Sequence, residues 1–174
     1  DAPPASVQIN WTFNDGNTGA QGAGGAKSTQ AQTLVHLTAA NDAPAWSGVA
    51  ASAVYSYGSA AMALDTSVHV VDAELAARGH YGGATVSLAR HGGADPRDGF
   101  FARGNLDSLA EGGNLTLSGG TVGTVVRNSG GSLELLFDDQ ATQAVVDEVL
   151  SSIAYASTGI LPPASVQLDW TFND

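Results

Sequence analysis

The sequence contains no cysteine. Disulfides therefore do not stabilise it, and neither a cysteine-based zinc site nor thiol catalysis is available. Basic residues are nearly as scarce. Six Lys and Arg stand against 17 Asp and Glu, for a formal net charge of −11 at pH 7. With no Lys/Arg stripe to neutralise phosphates, nucleic acid is not an expected partner, and an anionic membrane surface is disfavoured for the same reason. No apolar run approaches the ~20 residues of a membrane-spanning helix, so membrane insertion is not expected either.

What is present is a chain of 174 residues, 43% hydrophobic but only 13% charged. That length suits one domain with room for part of a neighbour. Uncompensated carboxylates repel one another unless solvent or a metal screens them, so the charge balance favours a cation as partner. The chain opens in mid-theme at Asp1 and carries no export signal of its own, which predicts a stretch of something longer.

The strongest signal is an internal repeat. Pro3-Pro4-Ala5-Ser6-Val7-Gln8-Ile9-Asn10-Trp11-Thr12-Phe13-Asn14-Asp15 recurs from Pro162 to Asp174, with only Leu168 for Ile9 and Asp169 for Asn10. The offset, from Pro3 to Pro162, is 159 residues. The two ends are thus expected to hold the same piece of structure from successive repeats. Asn41-Asp42-Ala43-Pro44 follows a strand-like stretch and precedes a change of composition, which places the junction there. Residues 1–40 then form the C-terminal hairpin of a preceding (or swapped or permuted) repeat. Residues 41–174 form the next repeat without its own last hairpin.

Period-two alternation dominates the rest. Val7, Ile9, Trp11 and Phe13 alternate with polar residues, and Thr66–Val71, Ala84–Ala89, Leu115–Leu117, Thr121–Val126 and Ser132–Phe137 read as further strands. Gly-Gly and Asn-Ser-Gly-Gly punctuation separates them. Many short strands with frequent turns predict an all-β sandwich or barrel. Val145, Val146, Val149, Leu150 and Ile153 break the pattern with a helical stripe, which predicts one short helix at about 141–153, capped by Asp138 or Asp139.

The junction Asn41-Asp42-Ala43-Pro44, then Val71-Asp72-Ala73-Glu74-Leu75, the strand entry at Asn128-Ser129-Gly130-Gly131, the helix leading into Ser152-Ile153-Ala154-Tyr155 and the Trp-Thr-Phe-Asn-Asp ending occur in one order along the chain. As an ordered set they resemble the bacterial cadherin-like tandem repeats of giant RTX-type surface adhesins and biofilm matrix proteins. The resemblance implies a secreted or cell-surface protein, cadherin/Ig-like β-sandwiches, calcium at or near the junctions, and a role in cell adhesion or biofilm.

Calcium takes six to eight oxygens, from carboxylates, amides and backbone carbonyls on loops. Asn41 and Asp42 supply adjacent oxygens at the junction. Asp72 and Glu74, two apart at a strand end, point to one side if extended, and resemble the Asp-x-Asp element of cadherins with Glu in second place. The alternative is that Asp42 caps a turn and Asp72 and Glu74 are solvated. Many repeats of that kind also carry a first-strand Glu, whereas Val54-Tyr55-Ser56-Tyr57-Gly58 offers none; Asp65 is the candidate substitute. Asp15 and Asn17, around Gly16, form a second candidate loop that turn chemistry explains equally well. Asp95, Asp98 and Asp107 read as surface turns.

His36, His69, His80 and His91 show no ligand spacing, and no Gly-x-Ser-x-Gly elbow exists, so no enzyme is expected. Trp11 and Trp170 read as core positions, and Trp46 as free to pack between domains. Asn10-Trp11-Thr12 and Asn114-Leu115-Thr116 match a glycosylation pattern that is common by chance. The expected function is a structural extender repeat whose partners are neighbouring repeats or other copies of the chain. The alternative is a calcium-dependent carbohydrate-binding module recognising a surface glycan. The mismatched ends further predict swapped oligomers or fibres, or closure within one chain.

Overall fold

The computed structural model describes residues 4–38, 40–50, 52–159, 163 and 165–174. The chain divides into two compact units, Asp1–Asn41 and Asp42–Asp174.

The first unit is a β-hairpin. Strand β1 (Ser6–Asn14) pairs antiparallel with β2 (Ser28–His36) without a bulge, from Ser6 opposite His36 to Asn14 opposite Ser28. Side chains on one face link the strands, with Trp11 Nε1 donating to Thr33 Oγ1 at 3.0 Å. Residues directly opposite in such a ladder share a face, so Val7, Ile9, Trp11 and Phe13 line up with Val35, Thr33, Ala31 and Thr29. That face is exposed, Trp11 at 59% and Phe13 at 67%.

The second unit holds the core. Its strands are β3 (Ala45–Ser47), β4 (Met62–Ala63), β5 (His69–Val71), β6 (Thr85–Arg90), β7 (Asp98–Ala102), β8 (Asn114–Leu117), β9 (Gly120–Ser129), β10 (Ser132–Phe137), β11 (Ile153–Ser157) and β12 (Leu168–Asn173). They form a five-stranded sheet in the order β12-β6-β10-β9-β8, a three-stranded sheet β4-β11-β7 and a pair β3-β5. All pairings are antiparallel. With two short helices, α1 (Ala73–Arg78) and α2 (Gln143–Ser151), the described residues form an all-β fold.

Alternation explains which side chains meet. Val86 and Leu88 of β6, Leu133, Leu135 and Phe137 of β10, and Leu115 and Leu117 of β8 are buried at every second position. They join Phe100 of β7 and Ile153 and Tyr155 of β11 in one hydrophobic cluster. Each fully buried Leu or Val contributes roughly 1.5–3 kcal/mol. Helix α2 adds Val146, Val149 and Leu150, the predicted stripe.

Three expectations for the second unit differ from the structure. Ile153 opens β11 instead of closing the helix, because its register opposite Ala102 draws it into the three-stranded sheet. The cap position of α2 is Thr142, which makes no side-chain capping bond. Asp138 instead accepts the Gln140 N–H in the preceding turn, and Asp139 lies 3.3 Å from His80. Trp46 packs inside the second unit, edge-on to Trp170 and Phe172 with centroids 5.8 and 6.3 Å away.

One glycine holds two distant segments together. Gly131, in the β9–β10 turn, has φ +81°, and a Cβ there would lie 1.9 Å from the Asp95 carbonyl oxygen. Gly131→Ala is expected to cost about 1–3 kcal/mol, since a β-carbon both strains that backbone and pushes the Asp95 loop away. Chemical denaturation checks this; Gly130→Ala, which meets no atom within 4 Å but shares a positive φ, isolates the backbone part of the effect.

Candidate functional site

Asp72 follows β5 and is the N-cap of α1. Its Oδ1 accepts the Leu75 N–H at 2.8 Å, satisfying one of the helix's orphan donors. Glu74 therefore sits in the first helical turn, not two residues further along an extended strand as the spacing suggested. Its Oε2 accepts the backbone N–H of Asp42 at 3.4 Å, so Asp42 and Glu74 do meet. Asn41 belongs to the first unit.

The other oxygen of Asp72 sets this carboxylate apart. The residue is 1% exposed, and Oδ2 is buried with no hydrogen-bond partner. A buried carboxylate oxygen left unsatisfied is costly. The surroundings are also electronegative. Burial pushes the Tyr81 hydroxyl above its usual pKa, and the charges of Asp147 and Asp72 push the same way. Tyr81 donates to Gln143 Oε1, while Gln143 Nε2 donates to Val70 O at 2.8 Å and to Asp147 Oδ1 at 3.0 Å. A cation fits this chemistry in part: Asp72 offers a buried oxygen with no hydrogen-bond partner, and Glu74 lies two residues on, bonded to the Asp42 N–H. Among the described residues no three acidic or histidine side chains converge as a cage. Carbonyls and water would have to complete a shell of six to eight oxygens.

Asp15 and Asn17 are engaged by their own turn. Asp15 Oδ1 accepts the N–H groups of Lys27 at 2.9 Å and Asn17 at 3.1 Å, which hold its carboxyl below the usual range. Asn17 Oδ1 accepts from Gly19 at 2.7 Å, and its Nδ2 donates to the Gly22 carbonyl. Asp65 is a loop staple. It takes the Ala50 N–H at 2.5 Å, the Ser67 N–H at 2.8 Å and the Ser67 hydroxyl at 3.1 Å. Burial works to raise its pKa, but these donors outweigh it and the net shift is downward.

Asp98 is not in a surface turn. Its side chain is fully buried and takes both arms of Arg90, Nε at 2.9 Å and Nη2 at 2.7 Å. The Tyr155 hydroxyl donates to the same carboxylate at 2.7 Å. Asp95 lies 3.1 Å from Arg90 Nη1 and also binds Arg97, whose hydrogen bonds hold it well below the usual carboxylate range. Burial, and then the hydrogen bond to Asp98, push Tyr155 up to about 12. The cluster joins the end of β6 to β7 and β11, and so ties the five-stranded sheet to the three-stranded one. A legible signal for it existed, because Arg90 and Arg97, two of only six basic residues, bracket Asp95 and abut Asp98. The histidines of the second unit each face one carboxylate: His69 with Asp147 at 3.1 Å, His80 with Asp139, and His91 with Asp169 at 2.8 Å.

Beside these groups a cleft of about 730 Å³ opens between β4 and β12, with Tyr55, Met62, Leu64, Tyr155, Leu168 and Trp170 among its lining residues. Comparison with family models, with curated proteins and with solved structures returns no match. Among the described residues no helix is long and apolar enough to cross a membrane.

Asp98→Asn is expected to lower stability by up to about 3–5 kcal/mol, because it breaks a buried ion pair and leaves Arg90 only its contact with Asp95; urea unfolding measures this. The lowered pKa of Asp65 means that its contribution is complete above its ordinary pKa and lost as pH falls through the folded value. The raised pKa of Tyr155 works in the opposite direction: its contribution is present below pH ~10 and lost as pH rises towards 12. Thermal melting against pH is therefore expected to fall at both extremes. Tyr155→Phe should flatten the alkaline limb and Asp65→Asn the acid one.

Proposed function

We propose that this chain is one period of a tandemly repeated, extracellular β-sandwich protein, a structural extender of a cell-surface adhesin or biofilm matrix. Calcium between repeats rigidifies it, and copies or neighbouring repeats join head to tail. The observation that carries the reading is the repeated strand. β12 is the outermost strand of the five-stranded sheet in the second unit, while its near-copy β1 lies in the first unit, paired with β2. One motif thus occurs as a strand in both units, as a chain of like domains would require.

The calcium part is supported by Asp72. Its partnerless buried oxygen suits a hard cation with oxygen ligands, and Glu74, two residues on, accepts the Asp42 N–H. The excess of acidic over basic residues favours the same partner. A metal held near a junction would restrict the bending of one body against the next and turn a flexible string into a rod. The reading assigns no catalysis to the chain. It is preferred over a glycan-binding module because Trp46 and Trp170, which would serve as a sugar platform, pack edge to face against each other.

Millimolar calcium is expected to raise the melting temperature by several degrees, through mass action on the folded state. Asp72→Asn should abolish the rise while keeping the helix, since Asn caps as well as Asp. An unchanged melting curve with calcium would remove the metal from the reading and leave the repeat.

A further inference from the structure

The two copies of the repeated strand use opposite edges. In an antiparallel ladder bonded and non-bonded pairs alternate, so every second residue turns its N–H and C=O to the same neighbour. In the hairpin the Leu37 N–H donates to the Ala5 carbonyl and the Asp15 N–H to the Lys27 carbonyl, both at 3.0 Å. The register between them is unbroken, so Val7, Ile9, Trp11 and Phe13 turn their backbone groups to β2. Gln8, Asn10, Thr12 and Asn14 face the other edge, which has no strand partner among the described residues. In β12 the choice is reversed. The His91 N–H donates to the Gln167 carbonyl at 2.9 Å, so Gln167 and then Asp169, Thr171 and Asn173 are the residues bonded to the β6 side. These are the counterparts of Gln8, Asn10, Thr12 and Asn14.

The faces correspond as well. Leu168 and Trp170 pack against the core of the second unit, and Phe172 is buried in it. Trp46 meets both rings edge-on, and Tyr81 meets Phe172 in the same way. Their counterparts Ile9, Trp11 and Phe13 are exposed. A row of large apolar side chains beside an open strand edge marks an interaction surface. What covers it follows from β12, where the same edge is taken by β6 and the same face by the core beneath.

We infer that the hairpin docks on a body of the second unit's kind that has no motif strand of its own, with β1 lying against a β6-type strand in the register that β12 shows. The body in this chain is not that partner, because β12 already occupies its β6 edge. In that register Trp11 stands opposite the counterpart of Leu88, and Phe13 opposite that of Val86. β2 becomes the outer strand, on the edge that β12 leaves unpaired, and the five-stranded sheet gains one more strand. The inference rests on the extender reading and deepens it: the hairpin's partner is the preceding repeat, and the junction between repeats falls after β2.

The test places a second copy of residues 42–161 ahead of Pro3 in the full chain, with chelator present throughout. Amide exchange at Gln8, Asn10, Thr12 and Asn14 is expected to be fast in the unextended chain and to slow by about 100-fold or more in the extended one. The sequence has no cysteine, and Thr171, the counterpart of Thr12, stands opposite Ser87. Thr12→Cys is therefore expected to close a disulfide with Ser87→Cys in the added copy. The proposal is overturned if the four amides exchange equally fast in both chains, or if the added copy shows no protected amides of its own. It is also overturned if those amides are already slow in the unextended chain, or if Thr12→Cys closes on Ser87→Cys of the original body instead. Either result makes that body, in the same chain or a second copy, the occupant. Because chelator is present, failure here leaves the calcium reading untouched, and loss of the calcium shift leaves the docking untouched.

Discussion

Arg90 and Asp98 form a charge pair removed from water, and the second unit is organised around it. Taking a carboxylate and a guanidinium out of solvent is costly, and the cost is recovered only with good geometry and further hydrogen bonds. Here the geometry is bidentate, the Tyr155 hydroxyl fills another acceptor site, and Asp95 shares the positive charge. Arg90, Asp98 and Tyr155 come from three different strands. The pair therefore fixes how β6, β7 and β11 align, which a purely apolar contact specifies less sharply. Gly131 serves the same end, since its bare backbone lets the Asp95 loop approach the β9–β10 turn.

The opposite situation holds at Asp72, where one oxygen of a buried carboxylate is matched and the other is not. The contrast between the two aspartates is one of hydrogen-bond satisfaction. Asp98 has its charge neutralised by protein. Asp72 has one carboxylate oxygen bonded by protein and one not, just after β5. The hairpin of the first unit presents a related imbalance in apolar form, with a row of large side chains facing solvent.

Much of the fold was legible because it is local. The alternation of β1, of β6 and of β10 follows from period two, and the bounds of Ser132–Phe137 come out of turn chemistry on one side and alternation on the other. The stripe of α2 was visible as well. Less local elements were hidden. Strand β7 carries adjacent Phe100 and Phe101, so it lacks clean alternation, and it is a strand because β11 pairs with it. Helix α1 is six residues long, too short for a periodic signal, and exists because Asp72 caps it and Leu75 is buried. Of the candidate site, Asp72, Glu74 and Asp42 could be named from residue type and position. The helical setting of Glu74 and the orphaned oxygen could not.

The sequence by itself determined the strand-rich class, the segment that recurs at an offset of 159 residues, the excess of negative charge and a short roster of oxygen donors. These depend on composition and on neighbours a few residues apart. Only the tertiary structure decided what each carboxylate does. Asp15 is spent on its turn, Asp65 on a loop, Asp98 on Arg90, and Asp72 keeps one oxygen free. The reason is that a carboxylate's role follows from its burial and its partners, and those are set by strands that meet across long separations in the chain, as Asp98 and Tyr155 do.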